Sequence, residues 1–178
     1  MQSPEGQPPP APPAAAARSI SPTQAPRVVE LTAKAVAGVP LGTPADEAQR
    51  RLVAAIGKPS GRESVLGCNG ETGRLLSWAQ LTVFLIDYEG ANPVLSGWSA
   101  ASSEQYAYQL PYGTRLGETA AATQQRVPRS SGEQAEEGPL TGSYIVSTPE
   151  QQALLWIAAG GTAADPIDEV SFERLSCD

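Results

Sequence analysis

The sequence predicts an α+β fold made of two tandem units, each with a helix packed on an antiparallel sheet of about three strands. Three observations favour this class. An amphipathic helical pattern follows Thr43, apolar runs of strand length follow the helix, and the same succession begins again near Leu116. A helix that covers one face of an antiparallel sheet is the expected packing for this order of elements.

The amino-terminal segment differs in composition from the remainder of the chain. Eight of the 17 prolines among the 178 residues lie before residue 27, interleaved with Ala and Gln. Such a segment buries little apolar surface and cannot offset the entropy that it would lose on ordering. We therefore predict a disordered Pro/Ala-rich stalk over residues 1–27 and a single folded domain over residues 28–178. The domain consists of two repeats, at about 28–103 and 104–178.

The first unit contains the helix with the clearest signals. After a first strand over Val28–Ala33, the Thr43 hydroxyl is placed to cap a helix that has Pro44 at its first position. Apolar residues then recur at helical spacing, and Gly57 followed by Pro59 ends the pattern. We predict one amphipathic helix between these signals.

The strongest strand signal runs from Leu75 to Ile86 and is interpreted as one strand with two different faces. One face is uniformly apolar and consists of Ala79, Leu81, Val83 and Leu85. The other face is amphipathic and consists of Trp78, Gln80, Thr82, Phe84 and Tyr88. A shorter strand follows over 94–99.

An internal repeat relates the two halves of the folded part. Five residues recur as the same residue type 75 positions later, namely Leu41, Gly42, Ala45, Gln49 and Arg51. In the second unit we predict strands over 143–147, 153–158 and 169–175, with Trp156 in the place of Trp78. Residues 129–139 are interpreted as a surface loop.

Composition excludes several kinds of chemistry. The chain has no histidine, so it lacks the usual general base near neutral pH and the commonest metal ligand. Its net charge of −7 argues against nucleic acid as a partner. No apolar run reaches the length of a membrane span, so we expect membrane contact only through an N-terminal anchor beyond residues 1–178. We expect no metal and no cofactor.

The two cysteines, Cys68 and Cys177, bear on the compartment. They have neither CxxC spacing nor a histidine partner, which disfavours a metal or redox centre. A disulfide between them would close a loop of about a hundred residues, and two unrelated thiols are the alternative. The disulfide and the stalk together favour an extracellular or cell-envelope location. Because the first residues do not form a signal peptide, this location implies that a signal or lipid anchor has been removed.

One functional hypothesis is a noncatalytic binding domain for a protein or a cell-wall component. Its binding face would carry Trp78, Phe84 and Tyr88, continued by Trp156, because aromatic residues on a rigid sheet concentrate in interface hot spots. Alternatively, these aromatic side chains fill the crevice between the two halves. The segment Tyr106–Tyr112 then becomes the candidate.

The second hypothesis is a carboxylate-dependent hydrolase of the cell wall or of polysaccharides, because such chemistry needs only two suitably spaced acids. The available acids are Asp87, Glu89, Asp165, Asp168 and Glu169. No spacing singles out a pair, and acids beside Gly and Pro are more often solvated turn residues. The binding hypothesis is therefore favoured.

Several motifs together resemble those of poorly characterised secreted proteins and lipoproteins of actinobacteria. They are 39–48, 56–59, 76–84, Gly97-Trp98 and the second Leu116-Gly117, with one cysteine in a loop and one near the end. The resemblance covers most of residues 28–178, and it implies export and no established catalysis. More distantly, the tandem helix-plus-sheet plan is similar to the β-lactamase inhibitor protein of actinomycetes. The disulfides of that inhibitor each lie within one repeat, whereas a pair here would bridge the two.

Overall fold

The computed structural model describes residues 25–66, 72–86, 92–148 and 154–173, which form twelve strands, two α-helices and one 3-10 turn. In chain order the elements are β1 (Arg27–Glu30), β2 (Ala35–Val36), β3 (Val39–Pro40), α1 (Ala45–Ile56), β4 (Gly61–Leu66), β5 (Thr72–Trp78), β6 (Leu81–Ile86), β7 (Val94–Ala101), β8 (Tyr106–Gln109), the turn Pro111–Gly113, α2 (Ala120–Arg126), β9 (Ser131–Gln134), β10 (Tyr144–Ser147), β11 (Leu154–Ala158) and β12 (Glu169–Glu173). Most of the predicted stalk, up to residue 24, lies outside the described residues, and β1 begins at the last residue of the stalk's predicted range.

Eight of these strands form one continuous antiparallel sheet in the order β4-β5-β6-β7-β12-β11-β10-β9. β7 and β12 join the two halves of the chain, with Trp98 opposite Phe172 and Ser99 opposite Ser171. The predicted α+β fold of two units, each with a helix on about three strands, is therefore wrong. The described part of the chain is mostly a single sheet, to which each half supplies four strands. Pairing β7 with β12 removes two edges whose N–H and C=O groups would otherwise lack strand partners.

The helices and the small strands contribute to a core on one face of this sheet. α1 packs against β3 and β7, and α2 packs against β9, β10 and β11. β1 pairs with β8 in parallel, and β2 pairs with β3 in the antiparallel sense. Alternate residues of the sheet point into the core and are buried, including Leu76, Trp78, Leu81, Val83, Trp98, Val146, Leu154, Trp156, Val170 and Phe172. Among the described residues, the helices and small strands pack on this core face, and we call the opposite face of the sheet the uncovered face.

The segment predicted as one strand over 75–86 forms two strands joined by a two-residue turn. β5 ends at Trp78, β6 begins at Leu81, and these two residues pair. Ala79 in the turn has a φ of 50°, a left-handed conformation that favours Gly or Asn. Since the sequence offers neither residue here, the usual turn signal is missing. The turn places Trp78 and Phe84 on opposite faces of the sheet, contrary to the predicted amphipathic row.

The helix predicted after Thr43 is confirmed as α1, but its predicted cap is wrong. The Thr43 hydroxyl donates to the Pro40 carbonyl at 2.7 Å, and Pro44 occupies the cap position without a side-chain hydrogen bond. The first helical amide, that of Ala45, donates to the Pro93 carbonyl at 2.8 Å. The segment leading into β7 therefore satisfies one of the amides at the helix start.

The second half departs from the prediction at β9, which lies within the segment interpreted as a loop. The helix α2 is present, and the Thr119 side chain caps it by accepting from the amide of Ala122. Local contacts around the helices recur 75 residues apart. Arg51 donates to the Gly38 carbonyl, and Arg126 donates to the Gly113 carbonyl, both at 3.4 Å.

Candidate functional site

Two of the residues predicted to bind a partner lie in the core. Trp78 is 1% exposed and Trp156 is 0% exposed. The indole N–H of Trp78 donates to the Gly57 carbonyl at 2.7 Å, and that of Trp156 donates to the Thr114 hydroxyl at 3.1 Å. Trp78 lies on the second of the four sheet strands that its half supplies, and Trp156 lies on the third. The two residues are therefore not equivalent, contrary to the prediction. Both rings fill the core and do not present a surface to a partner.

The remaining predicted residues do not lie in the core of the described structure. Phe84 lies on the uncovered face of the sheet and is partly exposed. Tyr88, Cys68 and Cys177 lie outside the described residues. Phe84 is thus the one aromatic residue of the predicted set that the structure places on an accessible sheet surface among the described residues.

The alternative segment, Tyr106–Tyr112, presents little surface. The rings of Tyr106 and Tyr108 stack with centroids 6.4 Å apart and pack against the core. Tyr112 is 46% exposed, and its ring centroid lies 6.0 Å from that of Trp156. A single exposed ring is a small part of the area that a specific protein interface buries.

A line of hydroxyl groups crosses the uncovered face of the sheet. Neighbouring strands pair Ser77 with Thr82, Thr82 with Ser99, and Ser99 with Ser171. The line continues through Leu155 to Ser147 and Ser131. Six hydroxyl residues, interrupted by Leu155, therefore lie in one row across seven strands.

We call this surface the hydroxyl face and define it by three sets of residues. The hydroxyl residues are Ser77, Thr82, Ser99, Ser131, Ser147 and Ser171; the apolar residues are Leu75, Phe84, Ile145, Leu155 and Ile157; and the acidic residues are Glu63, Glu133 and Glu169. All but Ile157 keep part of their surface exposed. The strand period of two explains the contrast, because the intervening residues point into the core.

Hydrogen bonds fix several of the polar side chains. Ser99 donates a short hydrogen bond to the Glu169 carboxylate. The hydroxyls of Ser131 and Ser147 lie 3.0 Å apart. Ser171 donates to the Trp98 carbonyl at 3.4 Å. Because these are short side chains held on a rigid sheet, ordering them against a partner costs little further entropy.

Sequence reasoning missed this surface because the signal is distributed over the chain. Residues such as Ser99 and Ser171 are more than seventy positions apart, and only strand register brings them together. Without the turn at Ala79, the sequence pattern put Thr82 on the same face as Trp78, whereas the structure places them on opposite faces. Strand alternation that placed Ser or Thr at solvent positions was the available clue.

The carboxylates considered for hydrolysis have structural partners. Asp165 accepts from the amide and the hydroxyl of Thr162, at 2.9 and 2.6 Å. Asp168 accepts from the Ala159 amide at 3.3 Å. Glu169 accepts from Ser99 on the hydroxyl face, and the other two candidates, at 87 and 89, lie outside the described residues. These contacts hold turns and side chains in place, and none of them favours the hydrolase hypothesis.

Comparisons with known proteins matched no family model, no curated protein and no solved structure. Within the ranges that the structure covers, no helix has the length and apolar character needed to cross a membrane. Among the same residues, no group of three or more His, Cys, Asp or Glu side chains could hold a metal ion. The chemistry of the hydroxyl face is therefore the main basis for a functional inference.

Proposed function

We propose that this protein is a noncatalytic binding domain that holds a protein partner on the hydroxyl face. The observation that carries the proposal is the uncovered face of the eight-stranded sheet, where apolar and hydroxyl side chains remain partly exposed. On the other face, the equivalent strand positions are buried beneath helices and small strands. A sheet face that keeps apolar side chains partly exposed among polar ones is a candidate interaction site.

The size of the face suits a protein. Eight strands at about 4.8 Å spacing span about 34 Å, and the three rows that carry the face extend about 14 Å along the strands. The resulting outline, about 480 Å², is more than half of the roughly 800 Å² that each partner contributes to a standard interface. Loops that flank the face would supply the remaining contact.

The composition of the face also suits a partner that binds and dissociates. Phe84, Leu75 and Leu155 provide apolar contact, while the hydroxyl residues satisfy polar groups of the partner. Such a mixture resembles non-obligate interfaces, which are only about as apolar as the rest of a protein surface.

Capture of proteins from an extract of the native host tests the proposal. Immobilised wild type is compared with Phe84→Arg and Thr82→Arg, which place a long charged side chain on the face, and with Val28→Arg as a matched control. Val28 is 72% exposed on β1, away from the hydroxyl face. We expect one or more proteins to be retained by wild type and Val28→Arg and lost, by about tenfold or more, with both face variants.

Thermal unfolding of each variant shows whether it remains folded, and Thr82→Arg serves if Phe84→Arg is not stable. Retention of the same proteins by all four baits would contradict the proposal. The proposal would also be contradicted if no protein in the extract were retained by wild type and lost with the two face variants.

A further inference from the structure

The acidic residues of the hydroxyl face indicate the chemistry of its partner. Glu63 lies on β4 at one edge of the sheet, Glu133 on β9 at the other edge, and Glu169 on the central strand β12. We infer, on the basis of the proposed function, that the partner is a protein whose contact surface carries Lys and Arg residues among apolar ones. Acidic groups interspersed with apolar and hydroxyl side chains complement such a surface.

The charged residues of the eight strands differ in sign between the two faces of the sheet. The described residues of the eight strands include two basic residues, Arg62 and Arg74, and both occupy core-side positions. Arg62 pairs across the strands with Leu76, and the Arg74 guanidinium lies 2.7 Å from the Asp46 carboxylate of α1. Each ionisable residue that these strands place on the hydroxyl face is therefore acidic, and no basic residue of the strands neutralises it.

The three acids differ in position and hence in their expected roles. Glu63 and Glu133 are exposed at edges about 34 Å apart, where charge acts mainly on the rate of association. Glu169 is half-buried in the middle, and the hydroxyl of Ser99 orients its carboxylate. A guanidinium or ammonium group of the partner at this central point would make a charge-assisted hydrogen bond.

The same charges disfavour other occupants of the face. A second copy of the chain docked face to face would oppose acidic surfaces, which costs free energy. Nucleic acid and anionic lipid surfaces are repelled for the same reason. A basic protein surface is the occupant that the charge and the area of the face both favour.

Binding kinetics test the inference. The probe is the protein that shows the strongest Phe84-dependent capture from host extract, purified and passed over the immobilised chain. We expect its association rate constant to fall about tenfold between 50 and 300 mM NaCl, because screening weakens electrostatic steering. The double variant Glu63→Lys/Glu133→Lys should lower the rate constant about tenfold at 50 mM NaCl and reduce its salt dependence.

A matched double variant, Glu30→Lys/Glu47→Lys, makes the same change in net charge on residues of β1 and α1. We expect it to retain most of the wild-type rate constant. If the face variant and the control behave alike, or if the probe is acidic at its contact surface, the inference is wrong while the proposed function still stands. If no Phe84-dependent probe is captured at all, the proposed function fails, and the inference fails with it.

Discussion

Gly42 and Gly117 occupy equivalent places in the two halves of the chain. Their φ angles are 83° and 89°, and their amides donate to the carbonyls of Leu95 and Ile167 at 2.8 and 2.7 Å. Each glycine therefore ties the segment before a helix to a central strand or its start, because Leu95 lies in β7 and Ile167 lies just before β12. The left-handed backbone explains why glycine recurs at both positions.

Replacing either glycine by alanine should destabilise the protein through backbone strain alone. A Cβ atom at Gly42 or Gly117 would meet no atom within 4 Å, so crowding does not contribute. We expect each substitution to lower the free energy of unfolding by about 1–2 kcal/mol. The double variant should lose about the sum, because the two sites share no partner. Urea unfolding measures these changes.

Gly61→Ala is the matched control for that prediction. Gly61 lies on the edge strand β4, and a Cβ there would make ordinary contact with Ser77 at 3.5 Å. The free energy of unfolding should change by less than about 0.5 kcal/mol. Equal losses at all three glycines would show that the strain argument is wrong.

The buried hydrogen bond between Trp156 and Thr114 should contribute to stability beyond the packing of the ring. Trp156 is fully buried and Thr114 is 4% exposed, so neither group can replace its partner with bulk water. We expect a double-mutant cycle with Trp156→Phe and Thr114→Val to give a coupling energy of about 1 kcal/mol. Additivity of the two single effects within about 0.3 kcal/mol would contradict the assignment of this bond.

The ion pair of Glu118 and Arg126 should make stability depend on pH. Partial burial opposes ionisation of Glu118, but hydrogen bonds from Arg126, Thr123 and the backbone outweigh it, so the pKa of the carboxyl lies below its ordinary value. A lowered pKa in the folded state stabilises the protein at pH values above the unfolded pKa, about 4.3. This stabilisation is lost as pH falls through the folded pKa.

We therefore expect Glu118→Gln to cost about 1 kcal/mol at pH 7 and less at pH 3, as measured by urea unfolding. The control is Glu47→Gln, because Glu47 approaches Arg51 only to 3.6 Å and both side chains are about half exposed. This control should change stability little at either pH. An effect of Glu118→Gln that is the same at both pH values would rule out the ion pair as its cause.

Local signals account for what could be predicted from the sequence, and long-range strand pairing accounts for much of what could not. The end of α1 follows from Gly57 and Pro59, which are adjacent to the helix and act through local geometry. The turn at Ala79 could not be predicted, because alanine there adopts a left-handed φ without the usual Gly or Asn. Missing this turn put Trp78 on the wrong face.

The sheet and the hydroxyl face required information that local patterns do not contain. Pairing between β7 and β12 joins residues such as Trp98 and Phe172, which lie far apart in the chain. Strand alternation shows that one face is buried, but it does not show which strands are neighbours. Two separate sheets and one continuous sheet therefore fit the same sequence pattern equally well.

The disulfide expected between Cys68 and Cys177 stays a prediction, and strand topology allows it. Leu66 and Glu173, the ends of β4 and β12, lie at the same end of the sheet, about 20 Å apart. The six residues from these ends to the two cysteines, with the disulfide itself, reach about 25 Å. We propose this disulfide, and an oxidising, extracellular compartment would follow from it, because disulfides persist there.

Alkylation in urea followed by mass spectrometry tests this proposal. Protein purified without reductant from its native compartment should not be alkylated until a reductant is added. Reduction should then lower the free energy of unfolding by about 4 kcal/mol, given the length of the closed loop. Alkylation of both thiols before reduction would contradict the disulfide and remove the support for the compartment.

Hydroxyl-radical footprinting of the complex shows which surface of the chain the partner covers. Mass spectrometry would compare side-chain oxidation of the free chain with that of the chain saturated with its captured partner. We expect protection of Phe84, Leu75 and Leu155 on the hydroxyl face, with Val28 and Tyr112 oxidised as before. Protection of Val28 or Tyr112, with unchanged oxidation of the hydroxyl face, would contradict the account.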